Sequence, residues 1–311
     1  MSFRREWILA SCVALLFTAC ASVPEKQEAK TLSPTAAELY AGQSPVVHGT
    51  EFPVTSAADG IQRGDMAWRE GKQELAIYLY VQALQFAPGD AATYRKIGAI
   101  HESLDNRPLA RRAFELALSA GGPDAATMER LGLIYLQDGN DDLARDLLTR
   151  ATQLGANRWR AYDGLGVLAD RRKDYAVAIM NYNAALQLQP KAAGVLNNRG
   201  YSKSLQGDLK GAEADLQAAL LLEPSALTRI NLGKVQARAR RYGDAFKTFL
   251  ETYDTAHAYN AVGEGAMKNG DHQIARTYFE NAATESPSYF EQAEKNLTLA
   301  REALAGRGPR S

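Results

Sequence analysis

The chain has 311 residues, enough for two average domains or one repeat array, and 46% of them are hydrophobic. Lysine plus arginine equals aspartate plus glutamate at 36 each, so no global field attracts nucleic acid. The two cysteines, Cys12 and Cys20, lie at the N-terminal end, which excludes a disulfide or a cysteine-based zinc site in the body.

The N-terminus, MSFRREWILASCVALLFTACAS, places Arg4 and Arg5 before an apolar run from Trp7 to Phe17. That run is too short for a bilayer span of about 20 residues. It fits the hydrophobic core of a secretory signal, predicted over residues 1–19. The small residues Thr18 and Ala19 precede Cys20. This pattern resembles the bacterial lipobox, and the resemblance implies lipidation at Cys20, read out by palmitate labelling. A plain secretory signal with an incidental cysteine is the alternative. Several acyl chains hold a protein on a membrane durably, where one binds marginally. Ala21 follows the cysteine, in place of the aspartate that often retains lipoproteins in the inner membrane. The expected location is therefore the outer membrane, lipid-anchored and facing the periplasm.

Residues 20–56 are polar and proline-punctuated, without sustained periodicity, and read as a lipidated cysteine followed by a flexible tether. Roughly 35 residues of coil span about 30–35 Å, enough to hold a folded body clear of lipid headgroups.

A repeat begins next. Gly64, Gly98, Gly132, Gly166 and Gly200 are spaced 34 residues apart, and Gly233 and Gly263 follow after 33 and 30. Twelve residues beyond each stands an alanine: Ala76, Ala110, Ala144, Ala178, Ala212, Ala245 and Ala275. A third column holds Ala83, Ala117, Ala151, Ala185, Ala219 and Ala282, with Thr252 as its exception. Large residues sit four places after the second column, at Tyr80, Phe114, Leu148, Tyr182, Leu216, Phe249 and Phe279. Pro88, Pro190, Pro224 and Pro287 close several units, with Pro123 displaced by one place.

This pattern resembles the tetratricopeptide repeat, a helix–turn–helix of 34 residues. The resemblance implies an all-α, right-handed superhelical solenoid of about seven helical hairpins. The array is expected over residues 57–289, with a capping helix over 290–306 and a disordered tail over 307–311. Phe290, Ala293, Leu297 and Ala300 share one face of that last helix, and solenoids require such a cap. Glycine costs about 1 kcal/mol in a helix relative to alanine. Its recurrence predicts close helix contacts that a side chain would block. Unit six is short, which predicts an irregularity near Tyr253 to Ala258.

Catalytic constellations are not found, and an enzyme is not expected. His48, His101, His257 and His272 are scattered, without a His-x-x-x-His pair. His101 falls in the column held by Tyr135 in the next unit and reads as a core residue. Glycines such as Gly71, Gly139, Gly207 and Gly270 read as turns, not as a phosphate loop. No cofactor, metal or small-molecule substrate is expected.

Tetratricopeptide arrays line their concave face with the first helix of each hairpin. Counting one turn either side of the glycine column places Asp163, Val167, Asp170 and Arg171 there in unit four. Asn197, Asn198, Tyr201 and Ser204 follow in unit five, then Ile230, Asn231, Lys234, Ala237 and Arg238 in unit six. Asn260, Glu264 and Met267 follow in unit seven. The candidate partner-binding groove comprises Asn197, Asn198, Tyr201, Asn231, Lys234, Arg238 and Asn260. An asparagine pairs with a peptide backbone through both its donor and its acceptor. Asn198 and Asn231 hold equivalent places, so either they grip one extended segment or they are merely exposed helix residues. Arg229, Lys234, Arg238, Arg240 and Arg241 form a basic stretch with few acids nearby, either a docking patch for an acidic partner or a solvated face.

The lipobox, the tether, the repeats and the stretch VLNNRGYSKSLQGDLKGAEADLQAAL, followed by TRINLGKVQARARRYGDAF, resemble the TadD family of lipoproteins. That family belongs to the Flp (tight-adherence) pilus assembly system. Arg199 and Lys203 stand where the family is usually apolar. The resemblance implies an outer-membrane-anchored periplasmic scaffold that holds a secretin or another pilus component. The alternatives are a type IV pilotin-like factor, an adaptor recruiting cell-wall hydrolases or proteases, and a non-catalytic chaperone for a secreted substrate. The carboxylate-clamp pattern of chaperone-binding repeats is not evident in the first units.

Overall fold

The computed structural model describes residues 38–40, 53–286 and 290–306. The signal segment, Cys20, His48, most of the tether, Pro287 and the tail 307–311 lie outside the described residues.

Among the described residues from 57 onward, fifteen helices pair into seven hairpins and a cap. The hairpins are α1 Ala57–Arg69 with α2 Gln73–Phe86, α3 Ala91–Ser103 with α4 Arg107–Gly121, and α5 Ala125–Gln137 with α6 Asp141–Leu154. Next come α7 Trp159–Arg171 with α8 Tyr175–Leu188, α9 Ala193–Gln206 with α10 Leu209–Leu222, and α11 Ala226–Arg238 with α12 Tyr242–Leu250. The last pair is α13 Thr255–Lys268 with α14 His272–Glu285, and α15 Glu291–Leu304 closes the stack. Short polar side chains start many of these helices by accepting from an otherwise unpaired backbone N–H. Ser56, Asp90, Asp124, Asp208, Ser225 and Asp254 do so at α1, α3, α5, α10, α11 and α13.

The glycine column packs against the large residue sixteen or so places on, in the second helix of the same hairpin. A Cβ at Gly98 would stand 2.6 Å from Phe114 Cε1, and one at Gly233 the same distance from Phe249 Cε1. At Gly200 the obstacles are Leu216 Cγ at 2.9 Å and the Ala212 carbonyl oxygen at 3.0 Å. The two alanine columns are buried, each residue at 0–1% exposure. Small residues thus set the spacing and large ones fill it, a close-packed layer repeated along the stack.

The turn inside each hairpin needs one residue at positive φ. Gly71, Gly139, Gly207 and Gly270 supply it, with φ from 75° to 103°. Asp105, Lys173 and Arg240 hold the same register in the other units, at φ 53°, 61° and 61°. An L side chain there is strained, because the left-handed conformation crowds Cβ.

The first helices of units three to seven lie against their successors, α5 on α7, α7 on α9, α9 on α11, α11 on α13 and α13 on α15. The second helices stand further apart, so the stack curves with its first helices inward. Unit six departs from the rest: α12 has 9 residues where α10 has 14. The irregularity therefore begins at Glu251, earlier than predicted, and Ala258 is already helical within α13.

Three residues inside the predicted tether dock on the array. Leu39 is fully buried, Tyr40 meets Tyr78 edge-on at 5.9 Å, and Glu38 lies 3.5 Å from Arg112. His101 is a core residue, as predicted, and its Nε2–H donates to the Leu39 carbonyl at 2.8 Å. Burial holds its pKa below the ordinary imidazole value.

Candidate functional site

On the inner face, side-chain amides link successive first helices. Asn231 Nδ2 donates to Asn197 Oδ1 (3.0 Å), Asn197 Nδ2 to Asn198 Oδ1 (3.3 Å), and Asn198 Nδ2 to Asp163 Oδ1 (3.1 Å). An ionised carboxylate only accepts, so Asp163 imposes one donor direction on the whole ladder. Its far end, Asn231 Oδ1, is left as an acceptor. A second ladder runs from Asn296 Nδ2 to Asn260 Oδ1 (3.0 Å) and from Asn260 Nδ2 to Glu264 Oε1 (3.0 Å).

The predicted exposure of Asn231 is corrected by this arrangement: it is 7% exposed, as are Asn197 and Asn260. Their amides lock neighbouring repeats together, so Asn198 and Asn231 do not form a free pair gripping one segment.

Between the two ladders, where α11 faces α13, lies a cleft of about 700 Å³. Tyr201, Asn231, Lys234, Arg238 and Asn260 of the predicted groove all line it, whereas Asn197 and Asn198 stand behind it in the ladder. At one end the helices pinch together. A Cβ at Gly265 would stand 2.6 Å from that of Ala237, and Asn269 Nδ2 donates to the Ala237 carbonyl at 2.8 Å. Phe249 and Tyr253 also line the cleft, behind the two first helices. They come from the end of the shortened α12 and the turn after it. Sequence reasoning missed both aromatics as groove residues, although the short spacing to Gly263 marked the place.

Lys234, Arg238 and Lys268 line the cleft from both walls, against a single Glu264. None of the three cations has an ion-pair partner among the described residues. The rest of the basic stretch is corrected. Arg229 pairs with Glu251 (3.0 Å), Arg240 with Asp271 (2.6 Å), and Arg241 with Glu213 (2.5 Å) and Asp244 (3.5 Å). The cationic character is concentrated in the cleft.

Unit four presents acids instead. Asp170 accepts from Tyr182 Oη (2.8 Å) and Ser202 Oγ (2.7 Å), and Asp163 accepts from Asn198. Burial holds both carboxyls above the usual range, and their neutral partners only partly offset it. A raised folded pKa contributes stability that is present below the unfolded value, about 3.9, and is lost as pH rises through the folded one. Asp163→Asn keeps the acceptor for Asn198 and removes the buried charge. The expected result is a higher melting temperature at pH 7 and convergence with wild type near about pH 3, followed by thermal denaturation across that range.

Arg199 and Lys203 are explained by Asp215, which is 6% exposed at the hairpin interface. Arg199 grips it with two bonds, Nε at 2.8 Å and Nη2 at 2.6 Å, and Lys203 Nζ lies 2.9 Å away. Lys203 is therefore a buried-pair residue and not a solvated surface lysine.

The tetratricopeptide-repeat family profile matches residues 98–158 and 197–261. A tetratricopeptide repeat protein from Parabacteroides merdae superposes with a TM-score of 0.54 at 15% identity, covering 79% of this chain and 98% of that one. The C-terminal part of a repeat-containing protein from Cytophaga hutchinsonii gives 0.56 at 15% identity, covering 76% and 99%. Among curated relatives, tetratricopeptide repeat protein 36 of Xenopus tropicalis is 44% identical over 57 residues, 18% of this chain and 28% of that protein. The human protein of the same name is 36% identical over 63 residues, 20% and 33% respectively. The chain thus spans roughly a third of the length of the curated relatives it matches. In fold and repeat motif the protein is a tetratricopeptide-repeat solenoid.

Proposed function

We propose that the protein is an outer-membrane-anchored periplasmic scaffold whose inner face binds protein partners during Flp (tight-adherence) pilus or secretin assembly. The observation that carries partner binding is the cleft between α11 and α13, apolar within and cationic at its walls. Solenoids of this kind present an extended concave surface suited to a polypeptide. The lipobox resemblance at Cys20 supports the anchor, and the resemblance of residues 195–246 to the pilus lipoproteins supports the assembly role. No helix among the described residues is long and apolar enough to cross a membrane.

Two measurements test this reading. Cys20→Ser is expected to abolish palmitate labelling and release an intact, folded array from the membrane fraction; persistent labelling or sedimentation contradicts the anchor. Deletion of the protein is expected to mislocalise the secretin. Altered peptidoglycan with a correctly placed secretin points to a hydrolase adaptor instead.

A further inference from the structure

Resting on that reading, we infer that the cleft between α11 and α13 takes an extended partner segment in which acidic side chains alternate with apolar ones. Three observations point to this chemistry.

The first is charge. Lys234 and Arg238 lie four residues apart on α11, one face of that helix, and Lys268 stands on α13. Each lacks an ion-pair partner among the described residues, unlike Arg229, Arg240 and Arg241 nearby. The lone acid on the walls, Glu264, already accepts from Asn260. An acidic segment would neutralise the excess.

The second is the apolar lining. Phe249 and Tyr253 lie behind the two first helices, and Val235 and Ala261 line the cleft as well. An extended strand points successive side chains to opposite sides. Apolar residues can then enter the cleft while the acids between them meet the cations at its rim.

The third is the direction of the amide ladder. The ladder ending at Asp163 spends the Asn231 Nδ2 donor on Asn197, so Asn231, which lines the cleft, keeps only its Oδ1 acceptor for an incoming group. That atom matches a backbone N–H of the incoming segment, which an extended chain leaves unpaired. The ladders also fix the place, since they link α7, α9 and α11 on one side and α13 and α15 on the other. Neither crosses the gap between α11 and α13.

The test uses two peptides labelled with fluorescein at the N-terminus and amidated at the C-terminus. One is Gly-Ser-Asp-Leu-Asp-Phe-Ser-Gly, and the other carries lysine in place of both aspartates. Fluorescence anisotropy with the array from residue 21 onward is expected to show at least tenfold tighter binding of the acidic peptide, a preference that shrinks as salt is added. In Lys234→Glu/Arg238→Glu the preference is expected to disappear or invert. The circular dichroism should be unchanged, because both side chains are exposed and unpaired. Equal affinity for the two peptides, no binding of the acidic one, or an acidic preference that survives the charge reversal overturns the inference. The scaffold reading fails separately. A protein that binds neither peptide yet is required to place the secretin loses this assignment and keeps the pilus role. One that binds the acidic peptide but leaves the secretin in place when deleted keeps the cleft chemistry and loses the pilus role.

Discussion

Arg199→Met/Lys203→Met unfolds the array at a markedly lower temperature than wild type. The pair of changes leaves the Asp215 carboxylate buried at the α9–α10 interface without a cation. Removing the partners of a buried charge costs about 3–5 kcal/mol, because the remaining charge keeps its desolvation penalty and loses its compensation. Either single change costs less, since one cation remains within 3 Å of the carboxylate. Adding Asp215→Leu to the double variant is expected to recover most of the loss, as replacing a whole buried ionic cluster by apolar groups is often neutral. Chemical denaturation of these four variants beside wild type measures this. A double variant as stable as wild type would show that Asp215 is hydrated and that its partners are decorative.

Gly200→Leu carries the second large effect. Its Cβ alone would press on Leu216 Cγ and on the Ala212 carbonyl oxygen, and a backbone atom in a packed helix cannot swing aside. Overpacking costs about 1–3 kcal/mol, occasionally more. For a body of this size 1 kcal/mol corresponds to about 2–4 °C in Tm. Gly194→Ala, in the same helix α9, meets open space and is expected to leave stability unchanged or raise it slightly, because alanine loses less backbone entropy. The contrast between two glycines six residues apart separates close packing from helix propensity. Equal melting temperatures for the two variants would remove the glycine column from the packing account.

The fold was legible because its signals repeat. A column such as Gly64 to Gly263 is read seven times over, and the single exception Thr252 does not hide the alanine column from Ala83 to Ala282. Turn glycines were legible for the same reason, although Asp105, Lys173 and Arg240 filled the same strained position unseen, since no residue type announces itself there. The groove was half legible. Counting from the glycine column found Tyr201, Lys234, Arg238 and Asn260, which do line one cleft. It did not reveal that Asn197 and Asn231 bond to each other across repeats. Helix periodicity gives the face of a side chain but not which neighbour satisfies it. It also found few acids near the basic stretch, because the acids that pair with Arg229, Arg240 and Arg241 come from elsewhere in the fold: Glu213 on α10, Glu251 just after α12 and Asp271 just before α14. Phe249 and Tyr253 escaped because they reach the cleft only where α12 is cut short, Phe249 at its end and Tyr253 in the turn that follows.

The most direct measurement of the central claim, that partners dock on the inner face at units five to seven, is site-specific photocrosslinking in cells. A photoreactive phenylalanine analogue replaces Tyr201, 43% exposed at the rim of the cleft, or Leu221, 88% exposed on the second helix of the same unit. The account predicts a discrete adduct from position 201, containing a secretin or another pilus component, that disappears in Lys234→Glu/Arg238→Glu, and none from position 221. An adduct from position 221 alone, or one from position 201 indifferent to the charge reversal, would contradict it.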